Sequence, residues 1–149
     1  MQNSPQKPRI RRKGVPIGLK PNGMSYTAMI IDDSKTAREI LKQVLLSVQF
    51  KIFDEAINGE VALNKLRASS IKPDFVFVDY EMAIMNGVET VKQIKPLLTN
   101  ETRIIMVTSH SEKEMVMKMI DMGVCGYIRK PYERDTVIKS LTGILRGYE

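Results

Sequence analysis

Several residues able to do chemistry stand where apolar runs stop. Asp79 closes Phe75-Val76-Phe77-Val78, and Asp32-Asp33 close the run from Tyr26 to Ile31. Thr108 closes the run from Arg103 through Ile104-Ile105-Met106-Val107, and Lys130 closes the stretch that begins at Gly126. Three carboxylates in one crevice repel each other, so either one keeps its proton or a cation neutralises them. An oxygen-only cluster with few ligands suits Mg2+, which keeps several waters and takes carboxylate together with phosphate. A hydroxyl and an ammonium beside it are what a phosphoryl oxygen needs. The predicted chemistry is therefore acceptance of a phosphoryl group by Asp79 as nucleophile, with Mg2+ and Lys130 offsetting the charge. Taken singly, each residue has a plainer role. Asp32 could cap a helix beside Ser34, Lys130 could be a solvated charge, and Thr108 could be a strand filler. Tyr127 could be edge packing, and Asp79 could simply end its strand.

The elements decide whether these residues meet. Short apolar runs bounded by turn residues read as strands buried on both faces of a parallel sheet. Such runs occupy Tyr26 to Ile31, Phe75 to Asp79, Arg103 to Thr108 and Gly126 to Lys130, with a more polar edge strand at Phe50 to Ile57. Helical stripes lie between them. Ala37, Ile40, Leu41, Val44, Leu45 and Val48 follow a Ser34 cap. A short helix after Asn58-Gly59 carries Ala62, Leu63 and Leu66, and a third carries Val88, Val91 and Ile94. Pro96 is expected to end or kink that third helix by pushing Lys95 out of helical geometry. A fourth helix capped by Ser109 or Ser111 runs through Met122 to Gly123, and a last one carries Val137, Ile138, Leu141, Ile144 and Leu145. Five strand–helix units predict an α/β fold, a flavodoxin-like doubly wound parallel sheet of order 2-1-3-4-5. In that order the ends of the first and third strands share one crevice. Asp32, Asp33 and Asp79 then meet there, with Thr108 and Lys130 on the same rim.

Composition narrows the class. The 149 residues are 43% hydrophobic and 27% charged, as in an ordinary globular protein, and one domain is expected. No apolar run reaches the roughly 20 residues of a membrane span, and the basic N-terminus lacks the apolar core of a signal peptide. A cytoplasmic location is the default expectation. The formal charge of +6 is uneven: residues 1–23 hold six basic side chains and no acid, leaving 17 basic against 17 acidic in residues 24–149. Residues 1–23 form a basic Pro/Gly-rich extension, expected to be at least partly disordered, and residues 24–149 form the domain. Within the extension Val15, Ile17 and Leu19 alternate before the turn Pro21-Asn22-Gly23, a piece able to dock on the body. The single Cys125 sits in an apolar context and is predicted to be a buried, inert thiol.

The motifs MIIDDS at 29–34, FVFVDYEM at 75–82, IIMVTS at 104–109 and YIRKP at 127–131 carry a family resemblance across residues 24–149. The chain resembles response-regulator receiver domains of the stand-alone chemotaxis CheY type. The resemblance implies phosphorylation of Asp79 by a histidine kinase, with Asp32, Asp33, Asp79 and the backbone carbonyl of Glu81 around Mg2+. It implies that Lys130 pairs with the phosphoryl group, that Thr108 moves to bond it, and that Tyr127 swings inward when Thr108 moves. It also implies a cis Lys130-Pro131 bond and rate-tuning roles for Glu81 and His110, although His110 could equally be a solvated loop residue. Ala83 stands where the family usually has Pro.

In receivers the face built from the fourth helix, fifth strand and fifth helix is the usual output surface. Met115, Met119 and Met122 share the core side of the fourth helix, whereas Met117 falls off that stripe and offers a flexible contact. The leading expectation is thus a phosphorylation switch acting on a protein partner through that face, in chemotaxis by analogy. A second is a nucleic-acid or membrane tether working through the basic tail; nucleic acid is disfavoured because no aromatic stacking residues are interleaved there. A third, a carboxylate-nucleophile phosphatase, needs an acid–base residue after Asp79, and Met82 and Ala83 supply none. The chain is therefore read as a phosphoacceptor rather than an enzyme.

Overall fold

Alternation within each strand splits the apolar side chains between two faces, and the helices cover both. The computed structural model describes residues 14–110 and 112–146. The strands are β1 (Thr27–Ile31), β2 (Lys51–Ala56), β3 (Phe75–Asp79), β4 (Arg103–Thr108) and β5 (Gly126–Arg129). The helices are α1 (Lys35–Ser47), α2 (Gly59–Ala68), α3 (Gly87–Ile94), α4 (Lys113–Asp121) and α5 (Arg134–Arg146). All pairings are parallel and the order is β2-β1-β3-β4-β5, as expected for a flavodoxin-like sheet.

Ala28, Ile30, Phe75, Phe77, Ile105 and Val107 face one side, where Leu41 and Leu45 of α1 and Val137 and Leu141 of α5 cover them. Met29, Ile31, Val76, Val78, Ile104 and Met106 face the other, against α2, α3 and Met119 of α4. Each residue of β3 is buried, which follows from its central place and its lack of any polar side chain before Asp79. β2 lies at the edge, as its polarity requires, and its register with β1 shifts between Ala28 and Met29.

Caps set where three helices begin. Ser34 accepts from Ala37 N at 3.1 Å, Asn58 from Val61 N at 2.8 Å and Asn86 from Glu89 N at 2.9 Å. For α4 the serine-cap expectation is not met: Glu112 takes the cap position with no side-chain cap bond, and Ser111 lies outside the described residues. Pro96 does not expel Lys95 from helical geometry. Lys95 keeps φ −54° and ψ −42°, and the chain instead tightens into a 3-10 turn over Lys95–Leu97. Pro fits the first positions of such a turn, where its missing N–H has no intrahelical partner to lose.

The segment before β1 docks as its alternation suggested. Ile17 is 8% exposed and joins the core beside Val48 and Phe50. Gly18 donates to Val48 O at 2.8 Å, and Tyr26 donates to Gly18 O at 2.7 Å. A Cβ on Gly18 would meet Phe50 N at 2.3 Å, so only glycine fits this approach. Lys20 reaches Asp74 at 3.4 Å, and Leu19 bridges Ser25. Residues 1–13, the rest of the extension expected to be at least partly disordered, lie outside the described residues. Cys125 corrects the sequence reading: it is exposed, although its backbone N–H already donates to Ile104 O of β4 at 2.8 Å and its neighbour Val124 is buried.

Candidate functional site

The strand register builds the site. Ile31 pairs with Val78, so Asp32 follows β1 beside the end of β3, and Asp79 pairs with Val107 one residue before Thr108. Lys130 follows β5, and its backbone N–H donates to Thr108 O at 2.7 Å. Asp32, Asp33 and Asp79 each offer an oxygen within 4.8 Å of the others. Asp32 is 5% exposed and Asp79 3%, while Asp33 faces solvent. Lys130 Nζ lies 3.2 Å from Asp79 Oδ1 and 3.4 Å from Asp32 Oδ2. Thr108 is fully buried, and Lys130-Pro131 is cis.

Burial pushes the Asp79 carboxyl up to about 6, the Asp32 charge adds to this, and Lys130 and the Glu81 N–H hold it back. For Lys130, burial favours the neutral amine, but the Asp32 and Asp79 carboxylates outweigh it and the pKa is raised. Among the described residues Lys130 is the one cation ion-paired with the two buried carboxylates, which leaves them short of positive charge. Three convergent hard oxygens and this deficit fit Mg2+, with Asp32, Asp33 and Asp79 as the residues that would hold it.

The surrounding loops are tied to the same cluster. Asp32 Oδ1 accepts from Ser34 N at 2.9 Å, which ties the carboxylate to the cap of α1. Gly87 starts α3 so near Asp79 that a Cβ would sit 2.6 Å from the Asp79 carbonyl oxygen, and its N–H donates to Tyr80 O at 2.9 Å. Ala83 N donates to Asp33 Oδ2 at 3.4 Å, a bond that proline could not make.

His110 is partly exposed, and both its backbone N–H and its ring have partners. Its N–H donates to Thr108 Oγ1 at 3.0 Å, and its ring lies 3.3 Å from Glu81 Oε2 and 3.2 Å from Glu112 Oε1. The hydrogen bond with Glu112, then that with Glu81, raises the imidazole pKa. Ser109 Oγ donates to Glu81 Oε1 at 2.7 Å; this bond, helped by His110, lowers the Glu81 pKa. Tyr127 is half-buried against the α4 side of the core. Ser109 was missed as a site neighbour, as were Arg38, Glu55 and Tyr132. Arg38 follows the Ser34 cap by one helical turn, a spacing that sets a cation beside the Asp32-Asp33 loop. Tyr132 is half-buried, and its hydroxyl reaches Ala37 O at 3.5 Å.

A parallel sheet of this order, ending in an acidic cluster with Thr108 and Lys130 on adjoining strands, places the chain in the response regulator receiver domain family, whose model matches residues 28–142. It is a CheY-like receiver of two-component signalling. Among curated relatives, chemotaxis protein CheY of Treponema pallidum is 30% identical over 132 residues, spanning 89% of this chain and 91% of that protein. Chemotaxis protein CheY of Halobacterium salinarum is 33% identical over 122 residues, 82% of this chain and 98% of that one. Among solved structures, CheY in the CheX–CheY–BeF3–Mg2+ complex of Borrelia burgdorferi is similar with a TM-score of 0.81 at 27% identity. The match covers 88% of this chain and 98% of that one. Among the described residues no helix is long and apolar enough to cross a membrane.

Proposed function

We propose that the protein is a phosphorylation switch in which Asp79 accepts a phosphoryl group from a histidine kinase. The observation that carries the reading is the buried Asp79 carboxylate, 3.2 Å from Lys130 and within 4.8 Å of two further carboxylates. In the transfer an Asp79 oxygen bonds to phosphorus as the phosphorus–nitrogen bond to the donor histidine breaks. Asp32, Asp33 and Asp79 would hold Mg2+, which would supply charge neutralisation to the phosphoryl oxygens. Lys130 holds a further oxygen by a charge-assisted hydrogen bond. By the family resemblance, the backbone carbonyl of Glu81 would be a further ligand of that ion.

The added charge draws the Thr108 hydroxyl toward Asp79, which opens space for Tyr127 to turn inward. That movement changes the face of α4, β5 and α5, where a protein partner docks. Met117, 54% exposed, and Ile120 offer apolar contact there. The Borrelia structure, a complex of CheY with CheX and Mg2+, supports both a protein partner and the metal. Two relatives named chemotaxis protein CheY support a role in chemotaxis; the cytoplasm is the proposed location. Glu81 and His110, joined over the mouth of the crevice, set how long the phosphorylated state lasts.

The test is incubation with a small phosphodonor and Mg2+, read by intact mass. One added phosphoryl group is expected in the wild-type protein and none in Asp79→Asn. An adduct that persists in Asp79→Asn would overturn the assignment.

A further inference from the structure

The guanidinium of Arg38 works in two directions. Nη1 donates to the backbone carbonyl of Asp32 at 2.8 Å, and Nε donates to Glu55 Oε1 at 3.2 Å. Glu55 belongs to β2, and Lys42 holds its other carboxylate oxygen at 2.8 Å. The Arg38 side chain is only 12% exposed. The Asp32 peptide is thus fixed on both flanks. Its N–H donates to Ala56 O at 3.1 Å, and its carbonyl takes Arg38.

Charge alone does not explain this placement. A second cation near a cluster that already holds Lys130 opposes the binding of a divalent cation there. Geometry does explain it. Asp32 and Asp33 are adjacent like charges at a strand end, and their repulsion favours splaying of the turn. A planar fork that spans a carbonyl and a carboxylate pins that turn to the neighbouring strand, which a single ammonium cannot do.

We infer that Arg38, held by Glu55, is a positioning residue for the divalent cation at Asp32, Asp33 and Asp79, raising its affinity despite the like charge. This rests on the reading of those carboxylates as the Mg2+ site. Residues that orient metal ligands typically change affinity by about 10- to 100-fold when removed.

The test is Mg2+ titration of the full chain by calorimetry, with backbone amide shifts of Asp32 and Asp33 as a second readout. Arg38→Met and Arg38→Lys are each expected to weaken Mg2+ by about tenfold or more. Glu55→Ala is expected to weaken it in the same direction. Glu55→Gln should weaken it less than Glu55→Ala, because its amide oxygen can still accept from Nε although its amide nitrogen then faces Lys42. If Arg38 acted only as a charge, Arg38→Met would strengthen Mg2+ and Arg38→Lys would leave it unchanged; either result overturns the brace. Should Arg38→Met fail to fold, Arg38→Lys and the two Glu55 variants carry the same comparison. Wild-type protein that takes up no Mg2+ overturns the metal reading and the brace with it. Wild-type binding with unmoved variants overturns the brace alone.

Discussion

Lys130 Nζ reaches Asp79 Oδ1 at 3.2 Å across the end of β4, so an ammonium from the sheet edge neutralises a carboxylate at the sheet centre. Lys130→Ala removes the one cation bonded to both Asp32 and Asp79 among the described residues. With Mg2+ chelated, it is expected to lower stability at pH 8 by about 1–3 kcal/mol, an amount limited by the partial exposure of Lys130. At pH 5, where Asp79 is largely protonated, the loss should shrink. Urea denaturation at the two pH values measures both.

Asp79 itself works against folding when charged. Its carboxyl is raised from 3.8 to about 6, so between those values the native state holds more proton than the unfolded state. Stability from this group therefore falls as pH rises through that window, and the penalty is complete above it. Asp79→Asn should stabilise the Mg2+-free protein at pH 8, by up to about 3 kcal/mol. The gain should fade toward pH 4. Added Mg2+ should narrow the difference at pH 8 by stabilising the wild-type protein. Urea titrations with chelator or Mg2+ test each part.

Thr108 already has a task before any phosphoryl group arrives. Its hydroxyl accepts the His110 N–H at 3.0 Å. Thr108→Val keeps the volume and leaves that donor unpaired, at an expected loss of about 1 kcal/mol with faster hydrogen exchange at the His110 amide. Thr108→Ser should keep the bond and the slow exchange. In the phosphorylated protein, Thr108→Val should also leave the Tyr127 ring resonances at their unphosphorylated positions.

The strap ahead of β1 is expected to be part of the folded unit. Ile17→Ala should cost about 1–3 kcal/mol, because Ile17 fills core space beside Val48 and Phe50. Gly18→Ala should cost at least as much, since its Cβ would fall 2.3 Å from Phe50 N. Melting temperatures of the two variants settle it, and unchanged values would show that the strap is dispensable.

Much of this was legible from residue types alone. The apolar runs and their terminal polar residues gave the strands, the sheet order and the meeting of Asp32, Asp33 and Asp79. Strand ends are readable because side-chain direction there follows the backbone register. Arg38 was not, because its value lies in where a long side chain folds back, to Asp32 and Glu55 at once. The α4 cap was misjudged for a similar reason: two serines lay near the start, and neither propensity says which loop geometry the Thr108–His110 bond imposes. Cys125 was misread because apolar neighbours in sequence do not fix which way a residue between two elements points. The hydrogen bond at Ala83 was invisible too, since an N–H gains meaning only when Asp33 stands opposite it.

The exposed Cys125 has a practical consequence. It is the single cysteine of the chain, and it sits just before β5, two residues before Tyr127. A thiol-reactive fluorophore or spin label will therefore attach at one defined point without any mutation. That point borders the face assigned to partner docking and lies at the other end of β5 from Lys130. The native protein thus carries its own attachment site for a probe, placed to report on a bound partner while leaving the phosphoryl crevice untouched.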